Sequence, residues 1–285
     1  MKNLYLDHNL IIDIQKKRKP SIVEAIEDID RSRYQILFSP AHIEEIAALQ
    51  KHFCEGKQKV DEVLNLLKNL TNAKALLPYK RRGTHQVKLI GVYISDEHPE
   101  ITYKRVVDGY ERNSISENHQ REKYFSGEQY EKKTGVSSRE TNNLEIKNKI
   151  NDFKLTLHQI IVDNYHELVS KNKFYEYLPS HVPENHEINF ESLGAFFPLH
   201  EMTIEKIFEY LERIRYFPEK STSFLSGLHD TTHAIYAAYC DVFVTNDKKL
   251  RNKTEATYKW LGINTLILSP DEFLCYLDKY SDGGG

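Results

Sequence analysis

The sequence predicts an α/β fold on a parallel sheet, and three observations carry that expectation. Short apolar runs, "NLYLD", "YQILFS", "DVFVT" and "TLILS", alternate with amphipathic stretches at both ends of the chain. The runs are nearly continuous in apolar residues, as in strands covered on both faces, and alternation of strands with helices implies parallel pairing. Between the two ends lies a long, mostly helical middle, which reads as an insertion between two halves of one sheet.

The elements follow in order. "NLYLD" is the first strand; "PSIVEAIEDIDRS" then sets Ile22, Val23, Ile26 and Ile29 at helical spacing behind Pro20, and "YQILFS" completes a βαβ unit. Ser39 is the expected N-cap, and Pro40 the first helical residue, of "PAHIEEIAALQKHF". "KQKVDEVLNLLKNL" continues with Val60, Val63, Leu64, Leu67 and Leu70 on one helical face. From about residue 78 the character changes. "VKLIGVYIS" reads as a strand, whereas residues 103–142 are polar, punctuated by tyrosines and short of aliphatic residues, the composition of an excursion or lid. A long helix is expected over 143–178, where Ile146, Ile150, Phe153, Leu157, Ile160, Ile161, Tyr165 and Leu168 recur at helical intervals, and another over "TIEKIFEYLERIRYF". The tail returns to alternation: a helix at about 224–240, the strand "DVFVT", a short helical piece to Trp260, the strand "TLILS" and a closing helix from Pro270. We therefore expect one domain over 1–285, with its core at about 3–72 and 222–280 and an insertion at 78–220.

With 285 residues, 40% of them hydrophobic, the chain can bury a sizeable core. A net charge of -3 argues against coating nucleic acid by bulk charge, and leaves the local clusters "QKKRKP", "YKRRG" and "NDKKLRNK" as either solvated surface or a basic face. No apolar run approaches the roughly 18 to 20 residues that span a bilayer, and Asp7 and Asp13 interrupt the N-terminal apolar stretch, so a cytoplasmic protein with no membrane partner is expected. Cys54, Cys240 and Cys275 are too scattered for a disulfide framework or a CxxC site and read as small core hydrophobes.

The acids fall into a pattern on this outline. Asp7 ends the first strand, Glu44 and Glu45 lie in the helix after the second, Asp230 begins the alanine-rich helix, and Asp247 follows "VFVT". All sit at the carboxyl edge of a parallel sheet or at the start of the helices leaving it, where ligands bind in such sheets. Clustered carboxylates repel unless cations neutralise them. Oxygen ligands alone suit Mg²⁺ or Mn²⁺ rather than Zn²⁺, and two such ions about 3.5 to 4 Å apart can clamp the attacking and leaving oxygens of a phosphodiester. Taken singly, Asp247 with Asn246, and Asp230, also read as helix caps, and Glu44 and Glu45 as exposed helix positions. Asp7 resists such a reading, because a carboxylate after "LYL" at a buried strand end needs a partner. Asn9 either bonds a phosphate or caps the first helix. Asp241 precedes its strand and falls on the amino edge in a structural role, and Asp13 lies outside the set.

With these residues in place the chain resembles the PIN-domain family of metal-dependent nucleases. The matching segments are "LYLDHNLIIDI", "ILFSPAHIEEI", "HDTTHAIYAAYCD" and "VFVTNDKKL", and the resemblance covers roughly residues 3–72 and 222–280. It implies a Rossmann-like three-layer α/β/α fold, an acidic pocket holding Mg²⁺ or Mn²⁺, and hydrolysis of RNA phosphodiesters. Asp7, Glu45, Asp230 and Asp247 would form the acidic quartet, with Asn9, Thr245 and Asn246 orienting water or phosphate. Glu45 is favoured as the second acid because it precedes Ile46 as the family's Glu precedes an apolar residue, and Glu44 is the alternative. The double Glu, Pro40 and the long insertion depart from small family members and leave substrate specificity open.

His229 and His233 flank Asp230 and raise a different idea, the metal-bound HD dyad of certain phosphohydrolases. That fold is all-helical, whereas this dipeptide adjoins a strand, so a structural hydrogen bond or a phosphate contact is the better reading. The leading expectation is an endoribonuclease of bacterial toxin or defence type, with RNA as substrate, DNA left open, and an antitoxin, a regulatory partner or a homo-oligomer as candidate associations. The rival is a catalytically inactive PIN-like module that binds RNA or protein.

Overall fold

The computed structural model describes residues 1–52, 56–78, 91–110, 129, 131–143, 145–170, 178–219 and 226–281. In chain order its elements are β1 (Lys2–Leu6), α1 (His8–Gln15), α2 (Pro20–Glu27), β2 (Tyr34–Leu37), α3 (Pro40–His52), α4 (Gly56–Thr71), β3 (Lys74–Pro78), β4 (Val92–Asp96), α5 (Pro99–Tyr110) and α6 (Ser138–Thr141). There follow α7 (Ile146–Ser170), α8 (Phe190–Leu193), α9 (Phe197–Arg213), α10 (Ser226–Ala237), β5 (Val242–Val244), α11 (Lys248–Leu261), β6 (Leu266–Leu268) and α12 (Pro270–Ser281).

Four strands form a parallel sheet in the order β2-β1-β5-β6. The period-two geometry of a strand sorts its side chains between two cores. Leu4, Leu6, Ile36, Val242, Val244 and Leu268 pack on one face with α1, α2, α4 and α12. Tyr5, Leu37, Phe243 and Ile267 pack on the other with α7, α9, α10 and α11. The result is an α/β sheet with helices on both faces, and α7 and α9 from the middle of the chain supply half of the second layer. Chain order reverses at β1, since β2 lies on one side and β5 on the other. In doubly wound sheets that switch point opens a crevice at the carboxyl edge.

Several elements differ from the sequence reading. Strand β3 was not anticipated, because the amphipathic pattern of α4 runs almost directly into "KALLP". Asn72 and Ala73, both in the left-handed region (φ 50° and 56°), end the helix and turn the chain. β3 then pairs antiparallel with β4 and meets the sheet through a parallel bridge between Ala75 and Phe38. The expected strand at "VKLIGVYIS" is Val92–Asp96, with residues 79–90 outside the described residues. The expected helix at 203–217 begins earlier, at Phe197, and the short piece ending at Trp260 is a 14-residue helix. Cys240 is buried as expected. Cys275 is exposed, because Phe273 and Tyr276 point α12 inward and leave Cys275 on its outer side, and Cys54 lies outside the described residues. Residues 111–128 and 130 of the proposed lid at 103–142 also lie outside them.

Candidate functional site

The period-two rule continues past the strand ends and builds the site. Register pairs Tyr5 with Leu37 and Phe243, so two residues on, Ser39, Asp7 and Thr245 form a polar row above an apolar one. Asp7 is fully buried and its N–H continues the ladder to the Val244 carbonyl. Thr245 Oγ1 donates to Asp7 Oδ2 at 2.9 Å and accepts from the Asp247 N–H at 3.0 Å, tying the two strand ends together. Asp7 holds the N-cap position of α1 yet makes no capping bond, and its Oδ1 is buried without a hydrogen-bond partner. Burial pushes its carboxyl up to about 6, with Glu45 and Asp247 adding repulsion and His233 and Thr245 opposing it.

Glu45 approaches from the first turns of α3 and meets two imidazoles. His233 Nε2 lies 3.3 Å from Oε1 and His8 Nε2 lies 3.6 Å from Oε2. Burial would raise Glu45, but His233, His8 and His229 outweigh it and bring the carboxyl down to about 2. Burial likewise works against a charge on His233, and Glu45 overcomes it, so the ring is raised above its ordinary value. His8 is lowered to about 4, chiefly by burial, so of the two imidazoles facing Glu45 it is His233 whose charged form the carboxylate favours. Behind it, Tyr5 Oη lies 2.9 Å from His233 Nδ1 and 2.6 Å from Ser39 Oγ. His42 Nδ1 accepts the Ser39 N–H, which leaves its proton on Nε2 to donate to the Leu6 carbonyl at 2.7 Å.

Asp230 lies near the start of α10 and is buried. Burial first, then Asp7 and Asp247, raise its carboxyl well above the ordinary value, and Lys253 partly offsets them. Asp247 caps α11, accepting from the N–H groups of Lys249 and Leu250 at 2.7 and 3.0 Å. Its capping reading is therefore real, and the cap also fixes the carboxylate at the sheet edge beside Asp7. Electrostatic coupling thus joins Asp7 to Glu45, Asp230 and Asp247.

The other expected residues divide. Thr245 is part of the site. Asn246 is exposed and accepts from Lys19 Nζ at 3.1 Å, and Asn9 is exposed on α1. Glu44 faces away from Asp7, toward His229 at 3.9 Å and toward Glu201 and Glu205. Asp241 sits on the opposite, amino edge, where Oδ2 accepts the Asn3 N–H at 2.7 Å. Lys253, part of a basic cluster read as solvated surface or a basic face, is instead buried against Glu212 and Glu219 at 3.3 and 3.0 Å. The α11 face that carries it also carries buried Leu250 and Thr257, a helical spacing that would have placed it inward. His8, His42 and Tyr5 were not singled out in the sequence; the signal was two further histidines and a tyrosine within or beside the acidic motifs.

The donor chemistry fits a hard divalent cation. Asp7 is coupled electrostatically to three other carboxylates, one of its oxygens is orphaned, and the Nε2 of His233, Nδ1 of His8 and Nδ1 of His229 are also buried without hydrogen-bond partners. Among the described residues, no three His, Cys, Asp or Glu side chains already stand together as a metal-holding group. Comparison with known proteins adds no further constraint: no family model matches the chain, and no curated protein or solved structure is significantly similar to it.

Proposed function

We propose that the chain is a PIN-like, divalent-metal-dependent nuclease, and specifically an endoribonuclease hydrolysing RNA phosphodiesters. The observation that supports this reading is the electrostatic coupling of Asp7, at the carboxyl edge of a parallel sheet beside its switch point, to Glu45, Asp230 and Asp247. Buried like charges raise one another's pKa and destabilise the apoprotein, so their convergence is best accounted for by a cation. Asp7 would hold Mg²⁺ or Mn²⁺ through Oδ1, with Glu45, Asp230 and Asp247 as the remaining carboxylates. The ion, when bound, supplies an acidified water and charge neutralisation at a phosphoryl oxygen. The protein's own part is positional: Thr245 fixes Asp7, the α11 amides fix Asp247, and the N-terminus of α11 adds a positive dipole beside the anionic substrate.

Asn9 and Asn246, both exposed at the rim, would contact the nucleic-acid backbone. A toxin or defence role, a cytoplasmic location and an antitoxin or homo-oligomeric partner belong to this same reading; no helix among the described residues is long and apolar enough to cross a membrane. A second reading, a non-catalytic PIN-like module that binds RNA or protein, is favoured by the lack of three ligands already gathered among the described residues. The two separate in one experiment. Wild-type and Asp7→Asn protein are incubated with RNA and DNA panels and Mg²⁺ or Mn²⁺, with and without EDTA. Metal-dependent RNA cleavage lost in Asp7→Asn supports the nuclease; binding of RNA without cleavage or Mn²⁺ uptake supports the module.

A further inference from the structure

We propose that His233, with its ring fixed by Tyr5, is a positioning residue that orients Glu45 toward the same cation as Asp7. This inference rests on the metal-dependent reading of the site and assigns a role to a histidine which that reading does not use. Three contacts lock the imidazole. Tyr5 Oη holds Nδ1 at 2.9 Å, the Tyr5 ring meets it edge-on, and the His42 ring stands across it at 76° with centroids 4.8 Å apart. Tyr5 is in turn held by Ser39, and Ser39 by His42, which is anchored on the β1 carbonyl of Leu6. Every member of this chain is buried, so water does not compete for its hydrogen bonds.

The one nitrogen left over is Nε2 of His233. It lies 3.3 Å from Glu45 Oε1, outside hydrogen-bond geometry, while His8 Nε2 stands 3.6 Å from the other oxygen. Glu45 is thereby flanked by imidazoles on both oxygens, which restricts its rotamers on a helix whose other neighbours leave it partly exposed. The support is mounted on the same strand as Asp7, because Tyr5 and Asp7 share one face of β1 two residues apart. A movement of β1 would carry Asp7 and the Tyr5 end of the support together, while His233 itself rides on α10. Outer groups of this kind typically contribute about 10- to 100-fold to metal affinity.

The test measures Mn²⁺ binding by titration calorimetry, and separately kcat and KM for an RNA substrate, in wild type, Tyr5→Phe, His233→Ala and His233→Gln. Circular dichroism and thermal unfolding check the fold of each. Tyr5→Phe removes one oxygen and keeps the ring, and should weaken Mn²⁺ by about 10-fold; His233→Ala should weaken it by up to about 100-fold. His233→Gln, whose amide nitrogen reaches the place of Nε2, should recover part of the loss, and KM for RNA should stay near wild type in all three. Tyr5→Phe and His233→Ala that fold and bind Mn²⁺ like wild type would overturn the positioning role while leaving the nuclease reading intact. If His233→Ala does not fold, Tyr5→Phe decides alone. Wild-type protein that neither binds Mn²⁺ nor cleaves RNA would overturn the parent reading, and this inference with it.

Discussion

Glu44 and Glu45 are consecutive residues of α3, yet they occupy opposite electrostatic settings. Consecutive helical residues point about 100° apart, so each meets a different neighbourhood. Glu45 turns toward His233 and His8 and is held near 2, fully ionised. Glu44 lies beside Glu201 and Glu205; burial, with repulsion from Glu45 and Glu205, outweighs the pull of His233 and raises it to about 7. Glu201, in the same patch, is raised by burial, Glu205 and Glu44 to about 8. Burial is common to both regions, and the position of the imidazoles decides the sign. Glu45 is therefore an anion at neutral pH, whereas the patch around Glu44 stores protons.

The largest effect should come from Asp7→Asn, which removes the orphaned anion from the pocket. Cleavage and Mn²⁺ uptake should fall to background. Stability should move the other way in the absence of metal. Asp7 is raised from 3.8 to about 6, so its contribution to stability is fully present below pH 3.8 and is lost as pH rises through about 6. At pH 8 the buried, ionised carboxylate costs about 3 kcal/mol, and Asn, which can still accept from Thr245, avoids that cost. Urea unfolding of the metal-free proteins at pH 8 provides the check. A variant less stable than wild type would show that Asp7 is structural, and the pocket would lose its distinction from the patch.

Lys253→Met tests a third arrangement, in which a built-in cation takes the place of a bound one. Lys253 is buried and raised, burial opposing the charge and Glu212 and Glu219 restoring it. Removing one partner of a buried ion cluster leaves the other charges uncompensated, and a loss of about 3 to 5 kcal/mol is expected. Denaturant midpoints at neutral pH measure it; a loss below about 1 kcal/mol, the range of an exposed pair, would place Lys253 among surface ion pairs.

Glu201→Gln addresses the patch itself. A carboxyl raised by folding contributes stability present below its ordinary pKa of 4.5 and lost as pH rises toward about 8. The wild type should therefore lose stability across this window, and the variant should flatten the decline while binding Mn²⁺ unchanged. An identical pH profile for the two proteins would mean that Glu201 is solvated and the patch holds no stored protons.

The sequence made the backbone of this comparison legible and hid its electrostatics. Nearly continuous apolar runs located β1, β2, β5 and β6, and the residues just after them located Asp7, Thr245 and Asp247. These are properties of short windows. β3 escaped because only Asn72 and Ala73 separate it from α4, and its partner β4 lies across residues remote from any local period. The imidazole support escaped for a related reason: Tyr5 looks like one more apolar residue of a strand, and its partners Ser39 and His233 lie 34 and 228 positions away. Lys253 was read with its basic neighbours, although its helical face sets it inward. Charge state depends on contacts across the fold, so residue type and spacing could name the acids but not say which would be ionised.

The smallest effect, and the sharpest discriminator, belongs to Glu44→Gln set against Glu45→Gln. If the imidazoles mark the metal-binding acid, Glu45→Gln should weaken Mn²⁺ by at least about 10-fold, the loss of about 1.4 kcal/mol, because it removes an anion coupled to Asp7. Glu44→Gln should leave affinity within about twofold of wild type, since Glu44 faces the acidic patch. It should also relieve part of the alkaline loss of stability, because a group raised to about 7 no longer has to ionise there. The reverse result, with metal affinity lost in Glu44→Gln and kept in Glu45→Gln, would move the second acid of the quartet one residue back. Glu45 with its histidines would then be a buried ion pair of the scaffold, and the proton-storing patch of Glu44 and Glu201 would be the side of α3 that a cation approaches.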